Sequence, residues 1–449
     1  RSLLNQTSAL FFNLSASHTS PEIQAIEREI SPKLAAHSAA MFLNAALFER
    51  IDKLHAERAS LGIDSESIRL IERYHLDFVR AGARLKDKDR QSFAEYAEKL
   101  ASCFTQFSQN VLADEAAFCL VLTEADQLKG LPDFVKSAAQ QLAKERGLEQ
   151  HNAHAFTLSR SSITPFMTFS ERRDLRESMW LAWCKRGENP GPHNNEAVMK
   201  EILKIRLAQA RLLGYQNFSD YALADTMAGS AANARDLLMR VWTPARLRAI
   251  QEREDLKKLS GISDLAAWDW HYWTERVRKE KFDLNEAELK PYLQLHKLME
   301  AMFHVAHRLF GVSFKQVENI AKYHPSVTGW DVTSADGQHV GLFLSDNFAR
   351  SSKRSGAWMS TYRDPMNLTQ EVRPIVVNNN NFSQGPEGKP TLLSLDDART
   401  LFHEFGHGLH GLLSRVKYPR LSGTSVLRDF VEFPSQVYEN WLMQPQILR

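Results

Sequence analysis

Residues 394–413 read SLDDARTLFHEFGHGLHGLL, from Ser394 to Leu413. Leu401, Phe402, Phe405, Leu409 and Leu412 recur at three- and four-residue spacing, which predicts a helix with one apolar stripe turned to the core. Ser394 stands three residues before Asp397, a loose form of the capping signal that starts a helix. Gly406 and Gly408 each weaken a helix by up to ~1 kcal/mol relative to Ala. A close approach of another backbone would explain that cost. The segment is therefore read as a buried helix packed tightly on a neighbour.

Inside it lies His403-Glu404-Phe405-Gly406-His407. Residues i and i+4 share a helix face, so both imidazoles can reach one tetrahedral Zn²⁺. Glu404 projects beside them, placed to hold a metal-activated water and act as general base. A third ligand at the spacing H-E-x-x-H-x-x-G-x-x-H would need Gly at 410 and His at 413, but His410 and Leu413 stand there. The remaining route is a carboxylate on a following helix, where the acidic residues after His407 are Asp429, Glu432 and Glu439. A last helix is predicted from about Asp429 to Met443, with all three on one face. Glu432, central on it, is the expected metal ligand. Asp429 and Glu439 are left as partners that orient a ligand histidine. Tyr418, Arg428, Tyr438 and His410 are weighed as donors to the tetrahedral oxyanion, and none is singled out.

Outward from this segment the texture is helical on the N-terminal side. Phe93, Tyr96, Leu100, Phe104 and Phe107 repeat a helical stripe, as do Leu295, Leu298, Met299, Met302, Phe303 and Ala306. Both are read as core packing. Gly130–Pro132, Gly187–Pro192 and Gly261–Asp264 mark breaks. The aromatic patch Trp268–Trp273 reads as packing, with a cleft lining as the alternative. After Gly311, β-branched and aromatic residues around Ala335-Asp336-Gly337 predict a hairpin over 312–348. Pro374–Val377 reads as a short strand and Asn378–Asn381 as a polar turn. The pairs His151/His154 and His304/His307 lack a carboxylate in any metal pattern. No G-x-S-x-G, P-loop or G-x-G-x-x-G occurs, so serine hydrolase and nucleotide chemistry have no support.

The chain has 449 residues, 56 Lys+Arg against 54 Asp+Glu, and 43% hydrophobic residues. That is ordinary globular composition, with no basic run for a nucleic acid and no apolar run of the roughly 18 residues that spans a bilayer. Cys103, Cys119 and Cys184 make no disulfide framework and fit a reducing, cytoplasmic location. No nucleic-acid or membrane partner is expected.

The segment His403–Trp441, HEFGHGLHGLLSRVKYPRLSGTSVLRDFVEFPSQVYENW, resembles the thimet-oligopeptidase-like family of zinc peptidases. Stretches 60–75, 268–292, 356–365 (GAWMSTYRDP) and 373–382 (RPIVVNNNNF) are similar to its bacterial-type peptidyl-dipeptidase branch, the dipeptidyl carboxypeptidases. Residue by residue the resemblance implies one Zn²⁺ held by His403, His407 and Glu432, with Glu404 as base. It implies a mainly α fold: a helical two-lobed ellipsoid with a deep channel and a small β region near the active site. Residues 1–260 would form a mainly helical N-terminal region and 261–449 the catalytic region. It implies a monomer acting on short unfolded peptides. The β region around Val340–Leu344 and Gly356–Ala357 is expected to pair with substrate backbone.

In that family the oxyanion-stabilising His and Tyr lie well beyond the third ligand. Arg1 and Arg449 therefore read as cut points in a longer enzyme, and the segment alone is expected to bind zinc but hydrolyse peptides poorly. The leading expectation is release of C-terminal dipeptides. Internal cleavage and a non-catalytic peptide-binding role are the alternatives.

Overall fold

The computed structural model describes residues 2–148, 152–283, 286–386 and 388–448. Arg1, His151 and Arg449 lie outside them.

The fold is mainly α. The N-terminal part runs α1 (Ser2–Ser17), α2 (Pro21–Phe42), α3 (Ala45–Glu57), α4 (Ser65–Arg80), α5 (Asp87–Ala117), β1 (Leu120–Leu122), α6 (Asp133–Glu145), β2 (His154–Phe156), α7 (Arg160–Phe169), α8 (Arg173–Cys184), α9 (Glu196–Leu212), α10 (Phe218–Leu223) and α11 (Ala231–Ser260). The helix breaks fall at the glycine and proline clusters. Gly130, Gly187 and Gly261 all take positive φ (80°, 77° and 68°), a backbone that ends a helix at little steric cost. On α5, Leu100 packs with Val198, Ile202 and Ile205 of α9. Phe104, at 41% exposure, leaves that stripe and carries Arg206 over its ring.

The C-terminal part runs α12 (Trp270–Phe282), α13 (Glu286–Leu289), α14 (Leu295–Phe310), β3 (Ser313–Val317), β4 (Thr328–Thr333), β5 (His339–Phe348), β6 (Trp358–Arg363), β7 (Met366–Asn367), β8 (Glu371–Val372), β9 (Ile375–Phe382), α15 (Leu395–Leu412), α16 (Glu432–Leu442) and α17 (Pro445–Leu448). Five strands form one sheet in the order β3-β4-β5-β9-β6. The expected hairpin is β4–β5, turning at Gly337 with φ 79°. β5 and β9 pair in parallel, and β6 closes antiparallel on β9 as an edge.

The run Asn378–Asn381 is not a turn: β9 continues through it to Phe382. Asn378, Asn379 and Asn380 are at most 2% exposed. Asn380 Nδ2 donates to Asn347 Oδ1 at 2.9 Å. The residues are turn-like in composition, but ladder pairing with β5 and β6 supplies their backbone bonds, so tertiary burial overrides local preference.

The β9 side chains alternate. Val376 and Phe382 join the core formed by α14, α15 and α16, whereas Val377 packs on the other face with Val327 and Leu344. Helix α1 crosses from the N-terminal region to the sheet: Asn13 Nδ2 donates to the Thr361 carbonyl of β6 at 2.9 Å. Near it, Asp346 is buried and accepts from Tyr323 Oη (2.7 Å), Arg350 (2.8 Å) and Lys353 (3.0 Å).

Candidate metal centre

Helix α15 begins with a reciprocal cap. Ser394 Oγ accepts from the Asp397 amide at 3.0 Å, and the Asp397 carboxylate accepts from the Ser394 amide at 3.3 Å. The helix then lies between the sheet and α16. A Cβ built on Gly406 would sit 2.6 Å from Ser435 Cα, so the two helices touch backbone to backbone. A Cβ on Gly408 would meet the Asn378 amide at 3.2 Å, and one on Gly411 the Met359 methyl at 2.6 Å. These glycines set the depth of the helix, and with it the position of the histidines.

His403 and His407 each direct Nε2 at the same oxygen, Glu432 Oε2, both at 3.1 Å. The three ligand-type atoms lie within 4.8 Å of one another. Two imidazoles and one carboxylate suit a tetrahedral ion with an open fourth position. His403 Nδ1 bonds Glu439 Oε1 at 2.6 Å, and Arg399 stands 3.9 Å from the other Glu439 oxygen. Ser435, which sequence reasoning missed, reaches the Glu432 carbonyl at 2.9 Å and its carboxylate at 3.1 Å. Its signal was its place three residues after Glu432, inside the segment that carries the family resemblance.

Glu404 is 6% exposed, and its Oε2 has no hydrogen-bond partner among the described residues. Burial pushes its carboxyl up to about 7, with the nearby Glu432 charge adding to the effect. A cation among the three donors would draw it back toward the ionised form. Burial holds His407 below the ordinary histidine range, which keeps the imidazole neutral as a ligand requires. Burial would raise Glu432, but His407, Ser435 and His403 outweigh it and hold the carboxylate low. The donor set and the orphaned Glu404 oxygen together fit a bound divalent ion.

Other expected positions fall elsewhere. Helix α16 starts at Glu432, so Asp429 precedes it and is not on its face. The Asp429 carboxylate accepts from the amides of Met227 and Ala228, both at 2.9 Å, and orients no ligand histidine. Tyr438 Oη is buried and donates to the Met302 carbonyl at 2.7 Å, and Tyr418 Oη pairs with Ser67 Oγ at 2.9 Å. Both hydroxyls are engaged away from the cluster. Val340–Leu344 belongs to β5, an interior strand bonded on both sides, so it has no free edge for a substrate. Gly356 takes φ 87° in the turn before β6, where Asn381 Nδ2 donates to its carbonyl at 2.6 Å. Of the aromatic patch, Asp269 is fully buried between Arg173 and Arg176, and Trp270 and His271 line a cleft of about 670 Å³.

The chain is similar to dipeptidyl carboxypeptidase of Salmonella typhimurium, 38% identical over 99% of this chain and 66% of the relative. It is 37% identical to dipeptidyl carboxypeptidase of Escherichia coli over the same shares. Oligopeptidase A of Escherichia coli is 30% identical over 97% of this chain and 65% of its own length. The chain thus spans about two thirds of the relatives it matches. The profile of peptidase family M3 matches residues 166–449, which include all of the histidine–glutamate cluster. With that match and these identities, the chain belongs to peptidase family M3.

Proposed function

We propose that the protein is a zinc-dependent peptidase that releases C-terminal dipeptides from short unfolded peptides. The observation that carries the reading is the convergence of His403 Nε2 and His407 Nε2 on Glu432 Oε2 beside an unpartnered, buried Glu404 oxygen. His403, His407 and Glu432 would hold one Zn²⁺. When bound, the ion supplies a Lewis acid for the scissile carbonyl and lowers the pKa of water.

The chain's own residues do the rest. Glu404 accepts a proton from the attacking water and returns it to the leaving amine. Its pocket keeps the carboxylate unsolvated and therefore basic. Glu439 fixes the His403 ring and its tautomer, so that Nε2 presents a lone pair toward the ligand set. Ser435 steadies the Glu432 carboxylate. Among the described residues no helix is long and apolar enough to cross a membrane. We place the enzyme in the cytoplasm as a monomer, on its three free cysteines and its ordinary overall composition.

Dipeptide release is favoured over internal cleavage by the higher identity to the dipeptidyl carboxypeptidases than to oligopeptidase A. The test pairs two measurements on the intact enzyme. Glu404→Gln is expected to retain zinc and to lose about 10²–10⁴-fold in kcat. A free-acid peptide is expected to yield dipeptides while its C-terminal amide is spared. Undiminished turnover by Glu404→Gln sinks the mechanism, and equal rates on acid and amide sink the dipeptide reading.

A further inference from the structure

Between α15 and α16 the chain runs from 413 to 431 with a single 3-10 turn, Pro419–Leu421. This connection joins the helix of His403 and His407 to the helix of Glu432, and α4, 343 to 353 residues earlier, grips it. Glu66 Oε1 accepts from the amides of Lys417 (2.7 Å) and Tyr418 (3.2 Å). Asp64, the N-cap of α4, accepts from Lys417 Nζ at 2.9 Å. The Asp77 carboxylate takes the fork of Arg420, from Nε at 2.9 Å and from Nη2 at 3.0 Å. Behind Asp77, Arg73 stands 3.9 Å away and forks onto Asp225, just past α10, at 2.7 and 2.8 Å. The row Arg420, Asp77, Arg73, Asp225 alternates in charge, and its side chains are at most 28% exposed. Desolvation cancels much of what such pairs gain, and their best attested use is to fix register.

The grip reaches α15. Three residues after Arg420, Gly423 lies backbone to backbone on Gly411. A Cβ built on Gly423 would sit 3.1 Å from Gly411 Cα and 3.4 Å from the His410 carbonyl oxygen. The Gly423 amide donates to Ser414 Oγ at 3.0 Å, which closes the loop onto the end of α15. Gly411 stands one turn beyond His407. Neither glycine has a side chain to absorb a shift of 420–423, so close packing passes that shift to the last turn of α15. The Asp429 tether grips the other end of the connection, through the amides of Met227 and Ala228.

We propose that Asp77 and Arg420 are positioning residues for the metal centre. Their pair fixes 420–423 against Gly411 and so holds the last turn of α15 where His407 Nε2 meets Glu432. The assignment rests on the metal-peptidase reading above and adds to it control of the ligand geometry by a helix of the N-terminal region.

The experiment compares the intact enzyme with Asp77→Ala, Arg420→Ala and the double variant, and uses Asp429→Ala as the control that cuts the other tether. Zinc affinity is read by chelator titration, and ligand geometry by the visible absorption bands of the Co²⁺-loaded protein. Each single variant is expected to lose about tenfold in zinc affinity, the low end for groups that orient ligands, and to shift the cobalt bands. The double variant should be no worse than the weaker single, since all three remove one interaction. Asp429→Ala should leave affinity and bands unchanged. Native affinity and bands in Arg420→Ala, or equal changes in Asp429→Ala, overturn the positioning role and leave the metal reading standing. Losses that add in the double variant overturn it too, because the pair then does not act as a unit. Absence of zinc binding by the native enzyme overturns both readings. Should alanine at either position prevent folding, Asp77→Asn keeps the shape and one acceptor. It is expected to lose about threefold in zinc affinity with the same direction of cobalt shift, and native values in it overturn the assignment.

Discussion

His403 Nδ1 and Glu439 Oε1 are joined by a 2.6 Å hydrogen bond, while the opposite nitrogen of the same ring faces Glu432. The two carboxylates stand seven residues apart on α16, two turns along one face. Glu439 is therefore placed to orient the ring, while Glu432 stands at the candidate ligand position. Glu439→Gln should weaken zinc binding by about 10–100-fold. Titrating the loaded protein with a chelator of known affinity measures this. Unchanged affinity would show that α15 packing alone orients the ring.

Asp429 gives the contrasting case. It ties its carboxylate to the amides of Met227 and Ala228 and caps the chain before α11. Asp429→Ala should lower stability by about 1 kcal/mol, as loss of a side-chain cap does. Zinc affinity should stay within the error of the same chelator titration.

Gly406 has no room for a methyl group, since Ser435 Cα stands 2.6 Å from the place a Cβ would occupy. Gly406→Ala should destabilise by about 1–3 kcal/mol through overpacking, despite the better helix propensity of Ala. Denaturant unfolding reads the loss. Because α15 and α16 carry all the cluster residues, zinc affinity should fall with it.

Asp346 is buried with Lys353, which is only 3% exposed. Asp346→Asn leaves that ammonium without its charge partner, and about 3–5 kcal/mol should be lost near neutral pH. Burial would raise the Asp346 carboxyl, but Arg350, Lys353 and Tyr323 outweigh it and hold it below 3.8. The unfolded chain therefore takes up the proton first as pH falls. The stabilisation is whole above about pH 4 and is lost as pH drops through the lower folded value. Acid unfolding followed by circular dichroism should show the wild type and Asp346→Asn converging below pH 4.

Much of the centre was legible before any coordinates. His403, Glu404 and His407 follow from helical spacing alone, and the apolar stripe of α15 placed them on a buried helix. Glu432 came from elimination among three acidic residues, because so few follow His407. Ser435 was not legible, because a serine has no charge or periodicity to mark it. Asp429 was misplaced because the helix start was set three residues early, and helix boundaries depend on capping partners from distant segments. Asp429 instead lies before the helix, with its carboxylate taken by the amides at 227 and 228.

The sequence by itself marked the candidate metal-binding groups and the helical period of α15, since both depend on residue type and local spacing. It also determined the family, through the HEFGH and FVE-x-PSQ segments. The tertiary structure decided what composition hides. It made Asn378–Asn381 a buried strand, because pairing with β5 and β6 satisfies the backbone whatever the side chains prefer. It closed Val340–Leu344 to substrate, because an interior strand has both edges bonded. It set α1 against β6, more than 300 residues away in sequence, where Asn13 bonds the Thr361 carbonyl.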